Sequence, residues 1–377
     1  MALMRTFYRC GRGFTFATVF AVAFIITLNN IISYQPVDDY TRENSRDYSF
    51  GSTNDTKPQS IPFPDLAKKA QWFTMYALTD QQKAVENWKL SPDRHNYHYL
   101  HNPAHICADE AGPSDILLVI FVNSSPGNAG KRAYIRNTFG SYYEWPTHEG
   151  GASVMRVVFL LGAVKDTRLQ ADINLESDIY KDIVQESFID DYLNLTRKTV
   201  MGMKWVTKYC RNAKYTMKVD DDIIINAPLV YTILQTASPT NFTLGTVLRK
   251  ATPVRSPRGQ YGKFLTPLTL YPHKVYPPYF NGHAYLLSTD VVENIYRVSM
   301  ETDLFPWSDV FIGMCLNKLG IRLRHSSRFL SLKFPMATKT QLSEEGNALD
   351  EIREYVSVFH FTVPIMNQLW EIWTRDL

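Results

Sequence analysis

The run Asp115-Ile-Leu-Leu-Val-Ile-Phe-Val122 is apolar at every position after the first. It suits a strand buried on both faces, which needs cover on each side. The residues beyond it supply that cover. Residues 127–139 read as a helix, 153–161 as a second strand stopped by Gly162, 169–180 as a helix and 182–185 as a short strand. Residues 192–210 have an apolar spacing near 3.6 and predict a long helix. Tyr215-Thr-Met-Lys-Val219 is a further strand, β-branched and aromatic-rich. This alternation implies an α/β domain with a largely parallel sheet. Ligands of such sheets gather at the carboxyl ends of the strands. That end carries the loop Val122-Asn-Ser-Ser125 and the residues just after Val219.

Directly after Val219 stand Asp220-Asp221-Asp222, then Ile223-Ile-Ile225. Adjacent carboxylates repel one another, and a divalent cation with a phosphate-bearing ligand relieves that repulsion. In an extended chain Asp220 and Asp222 point to the same side, so the pair offers oxygens to one site. The plainer alternative is a solvated acidic turn with an aspartate capping the next element. Beyond Asn226 the character shifts. Residues 261–285 are dense in aromatics, Pro and Gly and are expected to form a pocket wall or covering loop rather than regular structure. Residues 286–300 return to a strand-then-helix pattern, and 309–319 predict another helix.

The amino terminus limits where such a domain can reside. Residues 14–28 carry no charge and are almost wholly apolar; Arg5, Arg9 and Arg12 precede them, and Asp38 and Asp39 come after. A segment of roughly 20 residues crosses a bilayer as a helix, and the positive flank stays cytosolic. A cleaved signal peptide competes, but no clear small-x-small cleavage site follows Leu28. The expected organisation is a cytosolic tail over 1–12, a transmembrane signal anchor over 13–35, a lumenal stem over 36–112 and a lumenal domain over 113–377. Trp72, Phe73, Tyr76 and Trp88 are too apolar for a pure linker, so part of the stem is expected to pack on the domain. A net charge of +3 gives no electrostatic case for nucleic acid. Cys107, Cys210 and Cys315 would be lumenal and can form one pair; the pairing stays open, with Cys210–Cys315 as the trial choice. Asn-x-Ser/Thr triplets begin at Asn54, Asn123, Asn194 and Asn241.

The order of several motifs resembles one family, the β-1,3-glycosyltransferases of Golgi membranes, which include β-1,3-galactosyl- and β-1,3-N-acetylglucosaminyltransferases. Lys131-Arg132-Ala-Tyr-Ile-Arg136-Asn-Thr138-Phe139 is similar to Arg-x-x-Ile-Arg-x-Thr-Trp, with Phe139 in place of Trp. Phe159-Leu-Leu-Gly162 resembles the second-strand motif, and residues 182–199 resemble Asp-Ile-x-Gln-x-Asp-Phe-x-Asp-x-Tyr-x-Asn-Leu-Thr-x-Lys-Thr. Lys218-Val-Asp220-Asp221-Asp222 comes next. Tyr276-Pro-Pro-Tyr279-Phe-Asn-Gly282-His-Ala-Tyr285 is similar to Tyr-Pro-x-Tyr-x-x-Gly-x-x-Tyr, and Asp309-Val-Phe-Ile-Gly313-Met-Cys315 to Glu-Asp-Val-x-x-Gly-x-Cys. The resemblance covers about residues 113 to 325. Short motifs are weak singly and do not recur in register by chance.

The resemblance implies a GT-A fold, single-pass type II Golgi topology, and inverting transfer from a UDP-sugar with Mn2+ or Mg2+ to a glycan acceptor on a glycoprotein or glycolipid. UDP-galactose is the expected donor, with UDP-N-acetylglucosamine the alternative. By the same resemblance Asp222 is the main metal ligand and His360 a second one. Asp220 binds the nucleotide, Asp221 supports the turn on the donor side, and Asp309 is the general base. Arg132, Arg136 and Lys198 reach the diphosphate or brace the acidic motifs. Gly282 lets substrate approach the backbone, and Tyr279, Tyr285 and Trp307 stack on sugars or belong to the core. Ser308 stands where the family carries an acidic residue; its loss lowers the pKa of Asp309 slightly. Ser308 and Phe139 also feed a different reading, a membrane-anchored binding or chaperone-like relative without catalysis. A glycan on Asn123 would block the donor, so Asn123 is expected to be unmodified, and Asn54 is the first candidate to carry one.

Overall fold

The strand at residue 116 runs through the middle of a sheet and is buried along its whole length. The structure, a computed structural model, describes residues 95–108, 116–141, 144–146, 152–329, 353–359 and 363–375. The chain divides into two compact units, Met1–Pro64 and Asp65–Leu377, and every described residue belongs to the second. The expected tail, anchor and most of the stem lie outside the described residues, and so does His360.

The strands are β1 (Tyr99–His101), β2 (Ile116–Asn123), β3 (Glu144–Pro146), β4 (Ala152–Ala163), β5 (Ile183–Ile189), β6 (Tyr215–Asp220), β7 (Ile223–Ile225), β8 (Thr243–Leu248), β9 (Tyr279–Ser288) and β10 (Ser357–Phe359). The helices are α1 (Ala129–Asn137), α2 (Thr167–Tyr180), α3 (Leu195–Tyr209), α4 (Ala227–Thr236), α5 (Thr289–Ser299), α6 (Ser308–Lys318) and α7 (Val363–Thr374). The main sheet has the order β1-β5-β4-β2-β6-β9-β8, with β3 also on β4; β7 and β10 form a separate pair.

Four neighbouring strands, β5, β4, β2 and β6, are parallel, as the strand–helix alternation requires. The sheet is nonetheless mixed, because β9 runs antiparallel to β6, β8 to β9 and β1 to β5. This corrects the expectation for residues 261–285. Residues from Tyr279 onward are not a covering loop but part of a ten-residue strand. The Pro277-Pro278 pair and Gly282 hide it from composition, yet Tyr279, Phe280, Ala284, Tyr285, Leu286 and Leu287 are all buried. Only Asn281 and Gly282 break that burial, and they extend past the end of β6.

Alternation along β2 divides the core. Val119 and Phe121 join one apolar layer with α3, α5 and α6 (Trp205, Ile295, Phe311), while Leu118, Ile120 and Val122 join another with α1, α4 and α7 (Ile135, Val230, Leu369). Helix α3 lies tight on the sheet because Gly202 has no side chain; a Cβ there would come within 2.5 Å of Leu160 Cδ1. The disulfide joins Cys107 to Cys210, not Cys210 to Cys315. Cys107 ends a short 3-10 turn beside the carboxyl end of α3, whereas Cys315 is buried and free in α6. That proximity depends on how the chain before β2 folds back, which the cysteine spacing does not encode.

Candidate active site

The loop after β2 is held from several sides. Asp221 Oδ2 accepts hydrogen bonds from Ser124 Oγ (2.8 Å), the Ser125 amide (3.1 Å) and Asn128 Nδ2 (2.8 Å), and its Oδ1 accepts from Lys131 Nζ (3.1 Å). Arg132 is fully buried and donates to Ser124 Oγ, Ser125 O and Pro126 O while its other edge grips both oxygens of Glu176. Lys198, on α3, donates to Ser124 O (2.6 Å) and to Asp190 (2.9 Å). Buried cations of this kind persist only when paired and hydrogen-bonded throughout. The result is a stiff loop beside the end of β6.

Next to it opens a cleft of about 380 Å³, bordered by Asn123, Tyr192, Lys218, Asp220, Asp222, residues 281–283 and residues 306–309. Asp220 ends β6; Asp222 is the second residue of the turn into β7; Asp309 lies in the first turn of α6. The structure thus brings Asp220, Asp222, Gly282 and Asp309 together. It places Asp221, Arg132 and Lys198 behind the cleft as holders of the loop. Arg136 faces a different hollow of about 410 Å³, where it is bidentate to Asp182 (2.7 and 2.9 Å), bonded to Glu176 (2.8 Å) and stacked on Tyr180.

Lys218, which the motif reading left without a role, is buried in the cleft wall and donates to both Asp220 Oδ1 and the Gly282 carbonyl. Its position two residues before Asp220 on one strand was the available signal, because alternate residues share a face. Glu176 lies in a helix that is exposed over most of its length and gave no such signal.

Burial pushes the pKa of Asp220 up to about 6, against the pull of Lys218 and with a further push from Asp222 and Asp221. Its side chain keeps 36 % exposure on the cleft, so water offsets part of that burial; the upward direction is what the placement fixes. Burial also raises Asp309, opposed by the Val310 amide (2.9 Å to Oδ1) and by Lys218. The rise from burial therefore exceeds any lowering from having Ser308 beside it. Asp309 does not cap α6: the helix begins at Ser308 with Trp307 as its N-cap. Gly282 lies against Asp309, 3.3 Å from its Cβ to the point a methyl would occupy, so the close approach there is made by the carboxylate's own side chain.

Among the aromatics, Tyr279 and Tyr285 are core residues, and Trp307 is buried with Nε1 donating to Thr266 Oγ1. The exposed ring on the cleft is Tyr192, 47 % accessible, tilted against Trp307 and covered by Lys263 Nζ at 5.6 Å. Partial burial and then the charges of Asp309 and Asp220 push its phenol up, though with 47 % of the residue exposed water offsets part of the rise. Asn123 is 6 % exposed, donates to Thr199 Oγ1, and its Oδ1 has no partner among the described residues. This buried acceptor beside the cleft needs a donor from a ligand or water.

Comparison with known proteins agrees with the motif order. The Galactosyltransferase family model matches residues 130–327. Beta-1,3-galactosyltransferase 1 of Homo sapiens is 34% identical over 279 residues, which are 73% of this chain and 78% of that protein. Lactosylceramide 1,3-N-acetyl-beta-D-glucosaminyltransferase A of Xenopus laevis is 36% identical over 234 residues, which are 60% of this chain and 59% of that relative's length. A solved structure of the bifunctional glycosyltransferase WbbM aligns over 71% of this chain and 50% of that one, with a TM-score of 0.36 and 11% identity. The family model spans the acidic strand end and the Asp309 helix, and this chain is a glycosyltransferase that belongs to the β-1,3-galactosyltransferase and β-1,3-N-acetylglucosaminyltransferase family.

Proposed function

We propose that this protein transfers galactose from UDP-galactose, with inversion, to a hydroxyl of a glycan acceptor in β-1,3 linkage, from a GT-A fold anchored as a single-pass type II protein in the Golgi membrane. The observation that carries the reading is the convergence of Asp220 and Asp222, at the end of β6, with Asp309, from α6, on one cleft. The Cys107–Cys210 disulfide supports a lumenal domain, since such bonds persist in oxidising compartments.

The residues fit a divalent cation. Asp222 and Asp220 supply hard oxygen donors, and a cation would offset both the burial of Asp220 and the lesser push from its neighbours. Asp222 would be the main ligand. His360 lies outside the described residues, but Phe359 pairs with Ile223, one residue from each proposed ligand. Bound Mn2+ or Mg2+ supplies charge neutralisation for the diphosphate of the donor.

The chain's own groups do the rest. Asp309 accepts the acceptor hydroxyl's proton as its oxygen attacks the anomeric carbon and the bond to UDP breaks on the opposite face. A carboxylate made more basic by burial suits that role. Asp220 meets the nucleotide with Lys218 at its back, and Gly282 keeps the space beside Asp309 open. Arg132, Lys198 and Asp221 act on the donor through the loop they hold, and Arg136 acts through Glu176, the carboxylate it shares with Arg132.

The Xenopus relative's name favours a second donor, UDP-N-acetylglucosamine. Purified protein is to be tested with a panel of UDP-sugars, with and without Mn2+ and with EDTA. Transfer of galactose that EDTA abolishes supports the first reading, and transfer of N-acetylglucosamine the second. No hydrolysis or transfer of any donor, with no effect of Asp309→Ala, would leave the non-catalytic relative.

A further inference from the structure

We infer that Asn241 carries an N-linked glycan, and that the glycan is added before the strand it precedes has docked. The inference rests on the lumenal placement proposed above and not on the transfer chemistry. The structure sorts the triplets of the described domain by whether a chain that already carries a glycan there can still fold. Asn123 is buried at the cleft. Asn194 has both amide atoms engaged, Nδ2 with Ile189 O (2.9 Å) and Oδ1 with Arg197 (2.7 Å). Asn241 is exposed at the tip of the α4–β8 turn, in an exposed run from Ser238 to Asn241. Its φ of 51° is the left-handed conformation that Asn tolerates, and its backbone amide is fixed by Asp290 (3.0 Å), leaving the side-chain amide to solvent. Thr243 pairs with Leu287, which pairs with Thr216, so this turn lies at the amino end of β6, opposite the Asp220 cleft. A glycan here would not meet the donor or acceptor.

The third residue of the triplet gives the timing. Thr243 is fully buried; its Oγ1 donates to Arg322 O (2.9 Å) and accepts from the Arg324 amide (3.0 Å). Phe242 is buried against Tyr215. An enzyme that reads Asn-x-Thr cannot reach the hydroxyl once this strand is in place. Arg322 comes 79 residues after Thr243, so synthesis at about 5–20 residues per second leaves roughly 4–16 s before the partner segment is made. In the reaction Nδ2 of Asn241 bonds to the anomeric carbon of an oligosaccharide carried on a lipid diphosphate. The carbon–oxygen bond to the diphosphate breaks, and Nδ2 loses one proton as the lipid diphosphate leaves.

The test is translation of the full chain with endoplasmic-reticulum microsomes, added either during synthesis or after release and folding, then glycosidase treatment and peptide mapping. In protein that has folded, Asn241→Gln should remove one glycosidase-sensitive increment, whereas Asn123→Gln and Asn194→Gln should remove none, because a glycan on either amide would keep its segment from packing. Microsomes added after folding should leave Asn241 unmodified. An unmodified Asn241 peptide from co-translational samples overturns the site, and glycan addition to folded protein overturns the timing. Glycan at Asn54 alone would overturn the site while keeping the lumenal placement; no glycan anywhere would overturn both. The UDP-sugar assay is independent of each outcome.

Discussion

Gly282→Ala adds one methyl at the point where β9 passes the proposed base. That methyl would lie 3.3 Å from Asp309 Cβ and 3.6 Å from its Cγ and Oδ2. The first distance is closer than ordinary van der Waals contact, so one of the two must yield by a few tenths of an ångström. β9 is the stiffer partner, paired with β8 before this point and with β6 and β8 after it, and with the Gly282 carbonyl held by Lys218. Asp309 is tethered on one oxygen by the Val310 amide, so its carboxylate is expected to swing about that bond. Misplacement by about 1 Å costs on the order of 100-fold in rate. A shift of about 0.3–0.5 Å therefore scales to roughly 4–10-fold in kcat, or about 0.8–1.4 kcal/mol. Folding stability should change little, since Gly282 does not have positive φ and the added methyl lowers the entropy of the unfolded chain.

Gly313→Ala is the contrasting variant. Its methyl would meet Tyr279 Cβ at 2.4 Å and Pro278 O at 2.9 Å, where α6 packs on β9. It should lose about 1–3 kcal/mol of stability from overpacking. The assay is kcat and KM for donor and acceptor beside thermal unfolding of both variants. A Gly282→Ala enzyme with kcat within twofold of wild type and an unchanged melting temperature would refute the placement of Asp309 as the base.

Asp309→Asn should lower kcat by about 100- to 10,000-fold. Burial holds the folded pKa of Asp309 above its ordinary 3.8, so between those values the folded state binds more protons than the unfolded. Stability then falls as pH rises through that window and stays lower at neutral pH, so Asp309→Asn should melt higher than wild type at pH 7; a lower melting point would contradict the burial argument. The acid limb of kcat/KM should likewise lie above the ordinary aspartate value, read from a pH profile. Lys218→Met strands Asp220 and the Gly282 carbonyl, and because Asp220 is 36 % exposed the cost is discounted to about 1–3 kcal/mol in urea unfolding. Lys218→Arg should recover part of it. Cys107→Ser opens a loop of 103 residues and should cost about 4–5 kcal/mol on the chain-entropy model; a loss below about 1 kcal/mol would mean the bond is not formed.

The parallel half of the sheet was legible because β2 and β4 are apolar runs with a helix after each and β6 is β-branched and aromatic-rich; β5 was expected only as a short strand over 182–185 and runs on through polar residues to Ile189. The antiparallel half was not. β8, Thr-Leu-Gly-Thr-Val-Leu, is half exposed and carries a glycine, and β9 begins behind two prolines, so neither shows the signal of a fully buried strand. In the site, Asp220, Asp222 and Asp309 were readable from motif order, and the fold alone decides that they face one cleft. The sequence-level reading of Arg132 and Lys198 left diphosphate contact and bracing both open, since a buried arginine and an exposed one look alike in a motif. What separates them is the partner, and Glu176 and Asp190 reach them only through tertiary contact.

The acidic run itself is answered mostly by the protein. Three adjacent carboxylates would repel if they shared one direction, but the turn after β6 sends each to a different environment. Asp220 is paired with Lys218; Asp221 turns back into four donors from the β2–α1 loop; Asp222 borders the cleft. Asp221 still adds a minor push to Asp220, but its four hydrogen bonds convert the middle charge into loop rigidity. The two carboxylates that border the cleft and could meet a cation there are Asp222 and Asp220. On that division Asp221→Asn should loosen the loop and raise KM for the donor while leaving the Mn2+ requirement intact, whereas Asp222→Asn should shift the Mn2+ concentration needed for half-maximal rate. If both variants move the Mn2+ dependence equally, the three carboxylates act as one cluster and the division of labour drawn from their hydrogen bonds is wrong.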